Sequence, residues 1–163
     1  MVTDATVLQR ARAAAAGVCD PEIAGLSIAD LGVLRDVVLV DGVVEIRITP
    51  TYSGCPAMEA ITLDVQTALA RAGIADARIR RVLAPAWTTD WITEAGRAHL
   101  AALGIVPPPT TGSRRALFGA PSPACPLCGS AETEILAEFG STACKSLHRC
   151  IACREPFDAF KCH

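Results

Sequence analysis

Two pairs of closely spaced cysteines stand in the last third of the chain. Cys125 and Cys128 form the first pair, Cys150 and Cys153 form the second, and 21 residues separate them. Two such pairs at this separation are typical of a tetrahedral zinc site made of four thiolates. Four thiolates leave no coordination position for a substrate, so we predict a structural Zn²⁺ ion. Iron of the rubredoxin type is the alternative, because four-thiolate geometry alone does not exclude it.

A single cysteine, Cys55, stands in the sequence SGCP just before a stretch with helical periodicity. Pro56 suits the first position of a helix, which places Cys55 at the helix N-terminus. There the helix dipole and the free amides should lower the pKa of the thiol. No base accompanies Cys55 in the sequence, so binding of a metal is favoured over nucleophilic catalysis. A buried structural cysteine is the alternative.

Three further residues, Cys144, Cys162 and His163, have ligand chemistry but no diagnostic spacing. In one interpretation Cys144 is a small buried hydrophobic residue and the last two residues are a frayed terminus. In the other, Cys144 and Cys162 lie on neighbouring strands as a thiol pair that holds a labile metal or joins a cluster transiently. We expect His148 to lie on the surface of a strand and Cys19 to be structural.

The elements that position these residues follow from hydrophobic periodicity. The pattern predicts an α+β fold, a small α/β sandwich with a β-hairpin and a βαβ unit. Because a helix joins two strands of one sheet, those strands should be parallel and the crossover right-handed. Asp41-Gly42 is a strong signal for the hairpin turn. The predicted helices cover 3–16, 57–71 and 93–103, and the predicted strands cover 33–40, 43–49, 77–83, 133–139 and 141–149.

The chain should form two domains joined by a linker. The α/β domain covers 1–106, and a four-cysteine zinc ribbon covers 124–163. Residues 107–123 hold five prolines and two glycines without periodicity, which predicts a linker. The ribbon is too short to build an adequate hydrophobic core, so the metal should supply its folding energy. For the last helix of the first domain, Asp90 is a better N-cap candidate than Thr93.

Composition narrows the classes of function. The net charge of −2 carries no basic excess, which counts against nucleic acid and anionic membranes as partners. No apolar run approaches the ~18 residues of a membrane span. With no export signal, the eight cysteines should serve metals in a cytoplasmic protein rather than disulfides. The sequence also shows no Gly-rich phosphate loop, paired-carboxylate metal helix or Ser/His/Asp grouping, so we predict a protein that is not an enzyme.

The stretch "DPEI…LSIADLGVLRDV…VEIRITPTYSGCPAME" resembles the small domain of iron–sulfur cluster assembly factors, the SufT-like and eukaryotic cytosolic-assembly group. Together with "APAWTTDWITEAGRAHLAALGIVPP" and the cysteine-rich end, nearly the whole chain resembles the PaaD family of accessory subunits of bacterial phenylacetyl-CoA epoxidase. In this resemblance Cys55 matches the family's characteristic cysteine, and Asp20 and Glu22 match its acidic motif. The two cysteine pairs match the ribbon knuckles.

The resemblance implies a non-catalytic maturation factor in aerobic phenylacetate degradation. It would assist assembly of an iron–sulfur cluster or di-iron centre in the reductase and oxygenase components, its expected partners beside the iron–sulfur assembly machinery. Cys55 would contact iron or a cluster in transit. Two alternatives remain open: a structural or regulatory subunit with no metal beyond zinc, and a thiol-redox protein that uses Cys144 and Cys162. A homodimer in which two Cys55 thiolates share one cluster also remains open.

Overall fold

The computed structural model describes residues 4–110 and 122–161. The chain divides into two compact units, 1–87 and 88–163. None of the helices in the described residues is long and apolar enough to cross a membrane.

The first unit is an α+β fold with a mixed three-stranded sheet. Its elements in chain order are α1 (Asp4–Ala16), β1 (Leu34–Val40), β2 (Val43–Ile48), α2 (Ala57–Arg71) and β3 (Ala77–Arg81). The strand order is β1-β2-β3, with β1 antiparallel and β3 parallel to β2. The predicted hairpin and the predicted parallel pairing across the βαβ crossover are therefore confirmed.

The hairpin turn has the residues that its backbone requires. Asp41 and Gly42 have φ angles of 52° and 80°, both in the left-handed region. Two positive φ angles belong to the type I′ turn, whose twist matches that of the flanking strands, and Asp-Gly is among its preferred sequences. The short turn brings β1 back beside β2 and fixes their register.

The core of this unit lies between the sheet and its two helices. On the central strand, Ile46 and Ile48 are fully buried. The buried stripe of α2 includes Ile61, Val65 and Leu69, which recur at helical spacing and pack toward the sheet. This apolar layer anchors α2, and with it the loop that precedes the helix and carries Cys55.

The second unit begins with a 3-10 turn at Thr89–Trp91 and the helix α3 (Glu94–Ala102). A three-stranded antiparallel sheet follows, with β4 (Thr133–Ala137), β5 (Lys145–Cys150) and β6 (Pro156–Phe160) in that order. The fold class is confirmed: an α+β domain followed by a ribbon sheet with a four-cysteine cluster. Sequence reasoning missed β6, because a five-residue strand that begins with proline gives too weak a pattern.

The unit boundary lies before α3, whereas the sequence placed a domain end at residue 106. After α3, Val106 forms a parallel bridge with Ala159. The N–H of Val106 donates to the carbonyl of Asp158 at 2.9 Å, and the carbonyl of Val106 accepts from the N–H of Phe160 at 2.9 Å. These bonds join the chain after α3 to β6. The predicted limits 1–106, 107–123 and 124–163 stay a prediction, and residues 111–121 lie outside the described residues.

Candidate metal centre and the Cys55 site

The four ribbon cysteines converge on one point. Their Sγ atoms all lie within 4.8 Å of one another. Cys125 and Cys153 are 3.7 Å apart at sulfur, and Cys128 and Cys150 are 3.5 Å apart. A tetrahedron with Zn–S bonds of about 2.3 Å has edges of about 3.8 Å, whereas a disulfide needs about 2.05 Å. The sulfurs therefore fit a single four-coordinate metal and not two disulfides.

The first knuckle is a tight turn closed by backbone hydrogen bonds. The N–H of Gly129 donates to the carbonyl of Cys125 at 2.9 Å, and the N–H of Cys125 donates to the carbonyl of Ser130 at 2.9 Å. Gly129 has a φ of 75°, a conformation that glycine adopts without steric cost. This turn orients both sulfurs of the pair toward the second knuckle.

The second knuckle stabilises a thiolate directly. The N–H of Cys153 donates to Sγ of Cys150 at 3.5 Å. This amide hydrogen bond is the main reason that the pKa of Cys150 is lowered to about 6. Amide donation to a ligating sulfur favours the charged form that a metal requires. Cys150 is also fully buried and packs with Cys125 and Phe157 in the small core of the ribbon.

Cys55 lies where the loop after β2 meets α2. Its N–H donates to the carbonyl of Tyr52 at 3.1 Å, and α2 begins at Ala57, two residues later. Pro56 occupies the cap position with helical dihedral angles. The thiol is half-buried. The described residues contain one group of three or more potential metal ligands, the four ribbon cysteines, and Cys55 is outside it.

The predicted lowering of the Cys55 pKa is wrong. Burial is the largest cause and raises the pKa of the thiol; the negative charges of Glu22 and Asp20 raise it further. The amide of Ala57 and the hydroxyl of Thr51 oppose this shift through hydrogen bonds. The helix amide therefore acts as expected, but desolvation outweighs it. The sequence analysis did not identify Thr51, a buried residue, as a hydrogen-bond partner of Cys55. The only signal for it in the sequence is its position in the same loop.

The acidic motif that contains Asp20 and Glu22 forms a turn near Cys55. Oδ1 of Asp20 accepts hydrogen bonds from the N–H of Glu22 at 2.8 Å and from that of Ile23 at 3.1 Å. The N–H of Asp20 donates to the carbonyl of Leu26 at 2.8 Å. The buried aspartate thus fixes the turn, as Asp side chains do in Asx turns. Both carboxylates raise the pKa of Cys55 through their charge, so the structure brings Asp20, Glu22 and Cys55 close together, as the resemblance implied.

Of the remaining candidate residues, the structure describes Cys144 and Cys19 but not Cys162 and His163. Cys144 is buried just before β5, with its sulfur 3.1 Å from Oγ1 of Thr142. The carbonyl of Cys144 accepts a hydrogen bond from the N–H of Lys161 at 2.9 Å. Cys162 and His163 lie outside the described residues, so the thiol pair stays a prediction. Cys19, by contrast, is exposed.

The predicted surface position of His148 is wrong. This side chain is buried, with Nε2 2.9 Å from Oγ of Ser146. Its ring stacks on Phe157, with centroids 5.6 Å apart and an angle of 19° between the planes. Phe157 belongs to β6, so the missed third strand is the reason that this face of β5 is covered. Burial lowers the pKa of His148.

Comparison with known proteins agrees with this architecture. Residues 8–80 match the iron–sulfur cluster assembly protein family, and residues 109–161 match the PaaD zinc beta ribbon domain. A protein of Escherichia coli (strain K12) is 46% identical over 143 residues, which cover 88% of this chain and 86% of that protein. It is provisionally named as a subunit of 1,2-phenylacetyl-CoA epoxidase.

Two solved structures are similar to the first part of the chain. A domain of unknown function, DUF59, from Bacillus anthracis is 27% identical, covers 62% of this chain and 94% of its own, and has a TM-score of 0.54. A Mycobacterium tuberculosis protein, described as associated with [Fe-S] complex assembly and repair, is 36% identical over 61% of this chain and 87% of its own. Its TM-score is 0.36. The sequence identity to the epoxidase protein and the two domain matches together mean that this chain belongs to the PaaD family of phenylacetyl-CoA epoxidase subunits, with an iron–sulfur assembly domain and a zinc ribbon.

Proposed function

We propose that this subunit is a maturation factor that assists assembly of an iron–sulfur cluster, or of the di-iron centre, in the reductase or oxygenase component of the epoxidase. As a subunit of a multicomponent epoxidase it has the other subunits as partners. In this proposal the chain carries no catalysis of its own and acts in the cytoplasm. It receives iron or a cluster from the iron–sulfur assembly machinery and passes it to the client component.

Cys55 carries this proposal. Its thiol is half-buried at the start of α2. Burial is the main cause that raises its pKa, and the carboxylates of Glu22 and Asp20 raise it further. The negative potential that favours the proton also favours a cation such as iron, which replaces the proton when it binds. The single thiolate leaves coordination positions free for ligands of the donor and the client. Such a site suits a metal that must leave again, in contrast to the closed ribbon.

The ribbon cysteines support a separate, resident metal. We propose that Cys125, Cys128, Cys150 and Cys153 hold a structural zinc ion, because the donor set is all sulfur and the sulfur separations match its tetrahedron. The zinc ion would supply folding energy to a domain with a small apolar core. Metal analysis of the purified full chain tests this choice: one zinc per chain supports it, and one iron would replace it with the rubredoxin-type alternative.

Loading of the reductase cluster in cells tests the maturation role. The epoxidase components are co-expressed with the wild-type chain, with Cys55→Ala or with the control Cys19→Ala, which removes an exposed thiol of the same unit. We expect Cys55→Ala to reduce the cluster content of the reductase at least fivefold and Cys19→Ala to leave it unchanged. Co-purification of the subunits is measured in parallel, so that loss of assembly is distinguished from loss of loading.

The open alternatives predict other outcomes. Full loading with Cys55→Ala would refute the transfer role and favour a structural or regulatory subunit, above all if the complex falls apart without this chain. A reversible disulfide between Cys144 and Cys162 in cells, detected by mass spectrometry, would favour the thiol-redox function. One cluster per two chains in the anaerobic protein would favour the homodimer that shares a cluster between two Cys55 thiolates.

A further inference from the structure

A small cavity opens on the face of the β1-β2-β3 sheet that carries the charged side chains. The strand register places Asp36, Arg47 and Arg80 in one row across the three strands. All three line the cavity together with Arg35, and its volume is about 360 Å³. This volume lies at the lower end of the ~300–1,000 Å³ of typical ligand pockets. Three of the four charged residues around it are arginines.

A β-bulge directs one of these arginines to the cavity. The pairing of β1 with β2 shifts register between Leu34 and Asp36, so Arg35 is the extra residue on β1. Regular alternation would send Arg35 and Asp36 to opposite faces of the sheet, yet both line the same cavity. Bulges commonly re-aim a side chain beside a functional site. The irregularity therefore adds a guanidinium to the row that the register already forms.

The neighbouring carboxylates already have partners. Arg47 pairs with Glu45 at 2.9 Å, and Asp36 pairs with Arg12 of α1 at 3.2 Å. Arg80 forms no ion pair with any described residue, and it stands directly opposite Arg47 in the parallel ladder. Like charges directly opposite each other destabilise a sheet. Arg80 therefore adds a positive charge that no described carboxylate pairs with, directly beside the guanidinium of Arg47, in a chain whose net charge is −2.

We propose that this cavity binds the phosphate group of a small molecule. Guanidinium groups present N–H donors in a planar fork that matches phosphate oxygens, and an anion between Arg47 and Arg80 would relieve the repulsion of these two like charges. Apolar atoms of Val82 and Pro85 line the cavity beside the arginines. They provide a surface for the organic part of a phosphate ester. Inorganic phosphate and a phosphate ester such as a nucleotide share this chemistry.

Charged side chains on an outer strand also protect a sheet from aggregation, and that role alone would explain Arg78 and Arg80. It does not explain why a bulged Arg35 and the opposed pair Arg47 and Arg80 meet at one cavity. The two explanations differ in what Arg78 should do. Arg78 is exposed on the same strand and face, two residues from Arg80, and does not line the cavity. The proposal is independent of the role of Cys55.

Calorimetric titration of the full chain with inorganic pyrophosphate, at constant ionic strength, tests the site. We expect saturable binding that Arg80→Gln weakens about tenfold and Arg35→Gln weakens similarly, because each removes a charge-assisted donor. Arg78→Gln makes the same charge change outside the cavity and should alter the affinity less than about twofold. In parallel, NMR signals of the three cavity arginines should shift on titration.

The absence of saturable binding to the wild-type chain would overturn the proposal. Equal weakening by Arg78→Gln and Arg80→Gln would also overturn it, because diffuse electrostatic attraction would then explain the binding. Titration with adenosine diphosphate distinguishes the two sources of phosphate. Tighter binding than pyrophosphate assigns the site to a phosphate ester, and equal binding assigns it to the phosphate group alone.

Discussion

The two thiol sites of this chain differ in how completely the protein surrounds them. In the ribbon, four cysteine sulfurs lie within 4.8 Å of one another, so each sulfur has three other potential metal ligands beside it. In the first unit, Cys55 is half-buried and forms no such group with the residues that the structure describes. A complete set of protein ligands holds a metal as part of the fold, whereas an incomplete set allows the metal to leave. In the proposed function, the ribbon cysteines would hold a resident metal and Cys55 would bind one that leaves again.

The same contrast extends to the cores of the two units. The first unit buries large aliphatic side chains such as Ile46, Ile61 and Leu69 between its sheet and helices. In the ribbon, Cys125 and Cys150 themselves form the core cluster with Phe157. Two of the metal ligands are therefore also core residues. The stability of the ribbon should depend on the metal, and that of the first unit should not.

Removal of the metal should produce the largest effect. We expect Cys150→Ser, or treatment of the full chain with a strong zinc chelator, to unfold the ribbon, because apparent binding energies of structural zinc reach about 10–16 kcal/mol and exceed the stability of so small a core. The ribbon amide signals in NMR spectra should lose their dispersion. The ligand thiols should then react with a thiol reagent, four of them after chelation and three in Cys150→Ser.

The first unit should persist through this treatment. The indole N–H of Trp87 donates to the carbonyl of Leu31 at 3.0 Å inside that unit. In a Trp91→Phe background, the fluorescence of Trp87 reports on the first unit alone. Its emission should stay unchanged when the chelator is added. A simultaneous shift would contradict the independence of the two units.

A substitution in the aliphatic core should have the converse effect. Ile46→Ala removes a fully buried side chain from the central strand. We expect the free energy of unfolding of the first unit to fall by about 2–5 kcal/mol, the range for large-to-small core substitutions. Zinc content should not change. Leu63→Ala, at an exposed position of α2, is the control and should cost well under 1 kcal/mol. Loss of zinc from Ile46→Ala would contradict the proposed separation.

The local patterns of the sequence predicted most of the elements correctly. Alternation and helical spacing located β1, β2, α2 and β3, since each forms one face of a core, and the Asp-Gly turn fixed the hairpin. The errors arose where the outcome depends on distant parts of the chain. His148 is buried only because β6 covers β5, and β6 is too short to show a pattern. The pKa of Cys55 depends on burial and on carboxylates more than thirty residues away in sequence.

A helix cap provides a smaller test within the second unit. The sequence favoured Asp90 as the N-cap of α3, but Oγ1 of Thr93 accepts the hydrogen bond, from the N–H of Gly96 at 3.0 Å. We expect Thr93→Ala to lower the stability of the second unit by about 1 kcal/mol, as loss of a side-chain cap does. Asp90→Ala should have a smaller effect in the same denaturation experiment, with zinc bound throughout. A larger effect of Asp90→Ala would show that the cap assignment is wrong.

The smallest expected effect concerns the charge around Cys55, and it shows how an open thiol site differs from a closed one. Glu22 raises the pKa of Cys55 through its negative charge. Glu22→Gln should therefore lower this pKa, increase the thiolate fraction at pH 7.5 and speed alkylation of Cys55 a few-fold, since the thiolate is the nucleophile. In the wild-type chain the alkylation rate should keep rising above pH 9. Mass spectrometry of the peptide that contains Cys55 measures the rate in the zinc-loaded protein.

Asp64→Asn is the matched control, because it removes one negative charge from an exposed position of α2, nine residues after Cys55. Its alkylation rate should equal that of the wild-type chain. Equal rates for Glu22→Gln and Asp64→Asn would mean that the acidic turn does not act on the thiol, and the electrostatic attraction for iron would lose its basis. A faster rate for Glu22→Gln alone would mean that the acidic motif adds negative potential at Cys55, which the proposed attraction for iron requires. The ribbon thiols should resist the reagent in every variant, because a bound metal blocks their lone pairs.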